Sequence, residues 1–401
     1  MSIRPSFSLE PPSTSSTAAH ETLLTRPFVL LLCVHFFFCF SSSVFYLLPK
    51  YLTSQFNASS AVIGAVAAVN LLAGVLVTPW IGSLIDRGAR RPMIWWGALV
   101  HGFGALAFIW IHAVGAPIYL ARIVLGVAYA LVFNADATLA ADMAPPQKLG
   151  QAIGLCGVAS VATNALGPTL GEAIASHFGW FGVFLLAAAS SWLAMLLALG
   201  IREPAKDHAE TSPNGASALA LIFDPRRFGA FLCSAAAGAA LGVLFTFTQP
   251  FALSLGANRV SSFFVGYTAT ALVVRTLFGN VADKLGRRRV AFAALLLYGL
   301  DTTCTAALRP ALLPLLGAGL GLAHGFLYPA LNAIAAEGVP RARRGAVMSY
   351  FSACFYGGFA IWVYGLGWLA KSNGYSIVFL LSGALVWSSI LLLPRARGAA
   401  A

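Results

Sequence analysis

Residues 122 to 136 read RIVLGVAYALVFNAD, and a helix through them puts Arg122, Gly126, Tyr129, Phe133 and Asp136 on one face, at i, i+4, i+7, i+11 and i+14. A guanidinium at one end, a carboxylate at the other and aromatic surface between them make a face that binds polar organic groups or handles a proton. His324 and Tyr328, at i and i+4, repeat the theme in another apolar stretch, and His35, Glu172, Gln249 and Asp301 stand alone in four more. The bland role for any lone polar group in such surroundings is an interhelical hydrogen bond worth about 1 to 2 kcal/mol. Nucleophilic catalysis has no support: H-E-x-x-H, G-x-S-x-G, a nucleotide-binding glycine loop and a Ser/His/Asp pattern are missing, so no enzyme is expected. Cys33, Cys39, Cys156, Cys233, Cys304 and Cys354 stand at no metal-ligand spacing, and neither a metal nor a cofactor is expected.

The elements that must carry these groups follow from composition. Hydrophobic residues make up 59% of the chain and charged ones 9%, and the mean hydropathy is +0.81, far from soluble averages. Crossing roughly 30 Å of hydrocarbon takes about 20 apolar residues, and twelve such stretches can be marked off. In the first half they run 27–49, 61–81, 92–111, 117–141, 150–174 and 180–201; in the second, 228–255, 262–278, 290–308, 311–336, 345–370 and 374–393. Their uninterrupted apolar character argues for helices over barrel strands, which alternate. The expected fold class is all-α, a polytopic membrane protein of twelve transmembrane helices.

Basic residues orient the chain. With the N-terminus inside, nineteen Lys and Arg fall in cytoplasmic segments, against Lys50, Arg259, Arg309 and Lys371 outside. Both termini are then cytoplasmic, and the net charge of +12 reflects topology, which makes nucleic-acid binding unnecessary. Residues 1–26, rich in Ser, Thr and Pro, read as a disordered cytoplasmic tail; 27–201 and 228–394 as two six-helix bundles; 202–227 as a cytoplasmic linker; and 395–401 as a short tail.

The two halves repeat one charged phrase. GSLIDRGARR (82–91) returns as GNVADKLGRR (279–288), so that Gly82, Asp86 and Arg90 recur as Gly279, Asp283 and Arg287 at an offset of 197. After the fourth span of each half, Asp142 and Gly150 recur as Glu337 and Gly345, offset 195. Internal repeats of this kind are the mark of secondary transporters, in which one half rocks against the other around a midplane site.

On these residues the chain resembles the major facilitator superfamily from about residue 27 to 394. The repeated phrase is similar to that family's signature loop between helices 2 and 3, G-x-L-a-D-r-x-G-r-r. The second copy (Asp283, Gly286, Arg287, Arg288) fits; the first, with Asp86, Arg87, Arg90 and Arg91, has Ala89 where a glycine belongs and Gly88 one residue early. The resemblance implies a charge cluster at the cytoplasmic rim that gates access. In span 5, Gly154, Gly167, Pro168 and Gly171 match the antiporter motif of drug:proton exporters, with Thr163 and Glu172 in place of two glycines, and imply a helix 5 packed on the second half. Arg122 resembles the arginine that exporters use in proton transfer.

In this family the first and fourth helices of each half line the cavity. Asp136 is therefore the leading proton carrier, with Arg122 and Glu172 as further coupling candidates, and His35, Tyr129, Phe133, Gln249, His324 and Tyr328 as cavity contacts. Arg275 is expected in the second loop's charge cluster. Together these features imply a secondary active transporter in the plasma, or bacterial inner, membrane, embedded in the lipid bilayer and working as a monomer. It is expected to drive efflux of a drug-, metabolite- or sugar-like small molecule with the proton gradient. Proton-coupled or facilitative import, and a non-transporting receptor or assembly factor on the same fold, are the alternatives. Few fixed charges and many aromatics suit an amphipathic or weakly charged substrate.

Overall fold

The computed structural model describes residues 23–86, 88, 90–203, 224–279 and 281–393, and its regular elements are all helical. Most of the two tails and of the linker therefore lies outside the described residues, as do Arg87 and the side chains of Asp86 and Asp283.

Among the described residues there are thirteen α-helices. The first span is α1 (Arg26–Val44), carried through a 3-10 turn into α2 (Leu48–Phe56); the break falls at Pro49, which lacks an N–H and crowds the carbonyl one turn back. Next come α3 (Ser60–Asp86), α4 (Arg90–Ala107), α5 (Ala116–Met143) and α6 (Leu149–Ala198). The second half has α7 (Pro225–Ser254), α8 (Ser261–Leu277), the short α9 (Val281–Leu285), α10 (Arg287–Cys304), α11 (Leu313–Ala335), α12 (Arg341–Asn373) and α13 (Tyr375–Ser389).

Ten of the described helices are long and apolar enough to cross a membrane. One of them, the 50-residue α6, leaves helical geometry at Gly179 (φ 66°, ψ −173°) and so forms two limbs, and α8, at 17 residues, supplies one span more. The total is the twelve expected. Gly374, 195 positions after Gly179, makes the same break between α12 and α13 (φ 81°, ψ 173°), a backbone state that suits glycine.

Each half is assembled alike. In the first, α1 packs on the first limb of α6, α3 and α4 on α5, and α4 on the second limb; in the second, α7 packs on α12, α8 and α10 on α11, and α10 on α13. One pair of tryptophans makes the correspondence atomic. Trp192 sits over Gly102 and donates to the Leu99 carbonyl at 3.2 Å; Trp387 sits over Gly299 and donates to Leu296 at 3.2 Å. Large apolar side chains such as Leu76, Trp80, Trp110, Phe178 and Ile361 point outward, which in this fold is toward lipid.

The halves meet along α3–α12 and α6–α8. Near the end opposite the repeated loops the fit is tight: a Cβ on Gly64 would lie 2.6 Å from the Val363 carbonyl oxygen, and Ser60 Oγ donates to the Gly367 carbonyl at 2.9 Å. Toward the loops the halves diverge. Gly157 of α6 faces Arg275 of the other half, while Gly154 and Gly150, one and two turns nearer the loops, have nothing within 4 Å of a built Cβ.

Candidate functional site: a central cavity and a buried His35–Asp136 pair

A cavity of about 360 Å³ lies between the halves, a volume suited to a small organic ligand. Tyr129, Phe133, His324 and Tyr328 line it, as the spacing of their helices predicts, together with Arg122, Ser160, Tyr267 and Arg275. Tyr129 stacks on Phe133 with ring centroids 5.3 Å apart and planes 17° from parallel, so α5 presents a continuous aromatic ledge. His324 is enclosed by Tyr267, Tyr298, Tyr328 and Phe355, and its Nδ1 is buried without a hydrogen-bond partner.

Asp136 does not reach the cavity. It is 1% exposed and lies behind the wall, with Oδ2 hydrogen-bonded to His35 Nδ1. His35 thus serves as the partner of Asp136, off the cavity surface where the sequence placed it. Its other nitrogen, Nε2, lies 2.6 Å from Ser160 Oγ, and Ser160 does line the cavity. Ser160 in turn donates to the Cys156 carbonyl at 3.0 Å. A hydroxyl that donates to a carbonyl offers Nε2 a lone pair, so this arrangement fits an imidazolium donating from both nitrogens, to Asp136 and to Ser160. In that state the pair holds one proton, and two cavity-lining groups stand next to Nε2, the Ser160 hydroxyl and the Cys39 thiol at 3.6 Å. Sequence reasoning missed Ser160, whose signal was its position one turn before Asn164 on a glycine-rich helix.

Arg122 and Asp136 share a face of α5, yet each has its own surroundings. The Arg122 guanidinium lies over the Phe45 ring at 5.8 Å, and its Nε donates to the Val66 carbonyl at 3.3 Å. Arg275 departs from expectation: it lines the cavity, with Nη1 3.4 Å from the Gly157 carbonyl across the interface. It sits two residues before the end of α8, and its side chain turns toward α6 instead of the loop. Gln249 is also off the cavity wall, donating to the carbonyls of Tyr46 at 2.6 Å and Phe245 at 2.8 Å.

Glu172 closes the end opposite the loops. It accepts from Lys50 Nζ at 2.5 Å and from the backbone N–H groups of Val260 and Ser261 at 2.9 and 3.0 Å. A carboxylate there meets the free donors and positive dipole end of α8, and Lys50 adds a bond to the Asn258 carbonyl at 2.9 Å. Three donors, drawn from both halves, converge on its carboxylate.

At the loop end, Arg90 pairs with Asp142 and Arg288 with Glu337 at 3.1 Å, each within its own half. Arg91 caps the end of α6, donating to the carbonyls of Ala198 and Leu199, and its backbone N–H bonds Glu203. The irregular glycine of the first loop still does the work of a turn: Gly88 takes φ 88°, as Gly286 takes 92° in the second. Helix 5 does meet the second half, along α8, but Gly167 and Gly171 do not make that contact. A Cβ on Gly167 would lie 2.2 Å from Ser43 Oγ, and one on Gly171 2.7 Å from Leu47, so these two seat α6 on α1 within the first half; contact with the second half runs instead through Gly157 and the Val161 carbonyl, which accepts from Thr268 at 3.3 Å.

The sequence profile of the Major Facilitator Superfamily matches residues 30–274 and 228–400. Over 346 residues, 82% of this chain and 84% of the relative, it is 27% identical to the multi-drug resistance efflux pump PmrA of Streptococcus pneumoniae. It is 26% identical over 300 residues to the multidrug resistance protein MdtG of Enterobacter lignolyticus, covering 72% of this chain and 71% of that one. The solved structure of the nucleoside transporter NupG superposes with a TM-score of 0.76 at 18% identity, over 93% of this chain and 100% of that one, and shares its fold.

Proposed function

The chain belongs to the major facilitator superfamily and is a membrane transporter of small molecules, and we propose that it is a proton-driven exporter of small amphipathic compounds. The observation that carries the proposal is the buried His35–Asp136 pair, joined to the cavity by Ser160. The names of the relatives support the direction of transport.

In this reading the loop end faces the cytoplasm and the cavity takes its cargo from there. With the proton in place, Nε2–H donates to Ser160. When it leaves, the Ser160 hydroxyl turns from the Cys156 carbonyl to the bare nitrogen, and a net negative charge remains behind the wall, a state that costs several kcal/mol in apolar surroundings. Ser160 stands one turn from Gly157, whose carbonyl meets Arg275, so the same stretch of α6 feels the proton and touches the other half. Alternate loading of proton and cargo then biases which end of the molecule is open.

The test is accumulation of a panel of drugs, dyes and metabolites in cells lacking the protein, expressing it, or expressing Asp136→Asn. Lower internal levels with wild type, reversed by a protonophore and by the substitution, are expected. Higher levels with wild type would make it an importer.

A further inference from the structure

We propose that the cavity takes an organic anion, an aromatic or amphipathic body whose carboxylate is held by Arg275. This rests on reading the cavity as the transport site, and it replaces the expectation of a weakly charged cargo with a charge sign.

Among the described residues the cavity wall carries Arg122 and Arg275 and no Asp, Glu or Lys. Its fixed charge is therefore positive, since arginine stays protonated in proteins. The carboxylate at the far end of the same face of α5, Asp136, sits behind the wall in contact with His35 and exposes no oxygen to the cavity. A cargo cation would thus meet two guanidinium groups and no counter-charge.

Arg275 is the group left wanting a partner. Of its five donors, Nη1 has a long bond of 3.4 Å to the Gly157 carbonyl, and Nε is buried with no hydrogen-bond partner. An unpaired guanidinium in such surroundings is held at a cost, and a carboxylate can take two of its N–H groups at once at about 2.7 to 2.9 Å. The aromatic ledge of Tyr129 and Phe133 and the rings of Tyr267 and Tyr356 supply flat apolar surface for the body. Gly157 belongs to the first half and Arg275 to the second. A ligand carboxylate that draws Arg275 away would exchange a weak link between the halves for a bond to the cargo, so binding would itself loosen the α6–α8 seam. The energetics favour export as well: an anion leaves toward the positive side of the membrane, at about 2.3 kcal/mol per charge for every 100 mV.

The experiment measures equilibrium binding of three matched probes to the full-length protein in nanodiscs: 2-naphthoate, 2-naphthalenemethanol and 2-naphthylmethylamine. Naphthoate is expected to bind tightest, at least about tenfold ahead of the amine. Arg275→Gln should weaken naphthoate about tenfold, or about 1.4 kcal/mol, leave the alcohol within about twofold, and be partly rescued by Arg275→Lys. A preference for the amine, equal binding of all three, or an equal loss for all three in Arg275→Gln would overturn the proposal. Because binding is read without any gradient, a cation-preferring protein that still exports with protons would sink this inference alone. An anion-preferring importer would sink the direction alone.

Discussion

His35 and Asp136, 101 positions apart, are hydrogen-bonded to one another across the seam of α1 and α5. Oδ2 of Asp136 takes His35, while Oδ1 is buried without a partner. A carboxylate with one oxygen engaged and one idle, next to an imidazole that reaches a cavity hydroxyl, has the parts to hold a proton and release it. Neither residue has these parts alone.

Asp136→Asn keeps the shape of the pair and removes its titratable charge. In proteoliposomes, flux driven by a pH gradient should fall about a hundredfold, the low end of what a positioned proton-transfer group contributes, while gradient-free exchange of labelled for unlabelled substrate persists. Equal loss of both would mean that Asp136 serves packing.

Glu172→Gln weakens the contact that ties Lys50 and the start of α8 together. Hydrogen bonds to a charged group are worth about 1.5 to 3 kcal/mol each, so the end opposite the loops should open at least about tenfold more often. In a variant whose six native cysteines are replaced by alanine or serine, a cysteine introduced at Asn164, half-buried on the cavity wall, and labelled by an impermeant maleimide from the outside reports this. Unchanged labelling would remove Glu172 from gating.

The helix-5 glycines should divide by position. Gly167→Ala forces a methyl into Ser43 and should destabilise the fold by about 1 to 3 kcal/mol, visible as a lower melting temperature in detergent. Gly154→Ala, which meets open space, should melt as wild type does. Similar behaviour of the two would contradict the packing of α6 on α1.

At the loop end, Asp142→Asn breaks the pair with Arg90. Inserted protein should remain at normal levels while transport slows by up to about fivefold, the worth of about 1 kcal/mol for a half-exposed pair. The swapped double variant Arg90→Asp/Asp142→Arg should recover most of the rate. Failure of the swap combined with a normal rate in Asp142→Asn would assign the pair to topology alone.

Much of this protein is legible in one dimension, for reasons that differ from element to element. Span length is set by bilayer thickness, so the twelve helices could be marked from apolar runs alone. Gly88 and Gly286 announce a turn because few other residues tolerate their φ angles. The face from Arg122 to Asp136 follows from the helical period. By contrast, nothing in the spacing of Glu172 says that it caps a helix 89 positions further on. Gly167 and Gly171 mark a close approach without naming the neighbour, which is α1 for these two while the rest of the helix meets α8. Arg275 stands near the second loop in sequence, while its side chain points across the seam to the Gly157 carbonyl.

The sequence by itself determined an all-helical membrane transporter of two repeated halves, because composition, span length and helical period are local properties that each segment carries with it. Only the tertiary structure decided that Asp136 belongs to His35, that Ser160 connects the pair to the cavity, and that the cavity wall is positive. Those are relations between helix faces, set by how the bundles pack, and helical period is silent about which face a helix turns toward its neighbour.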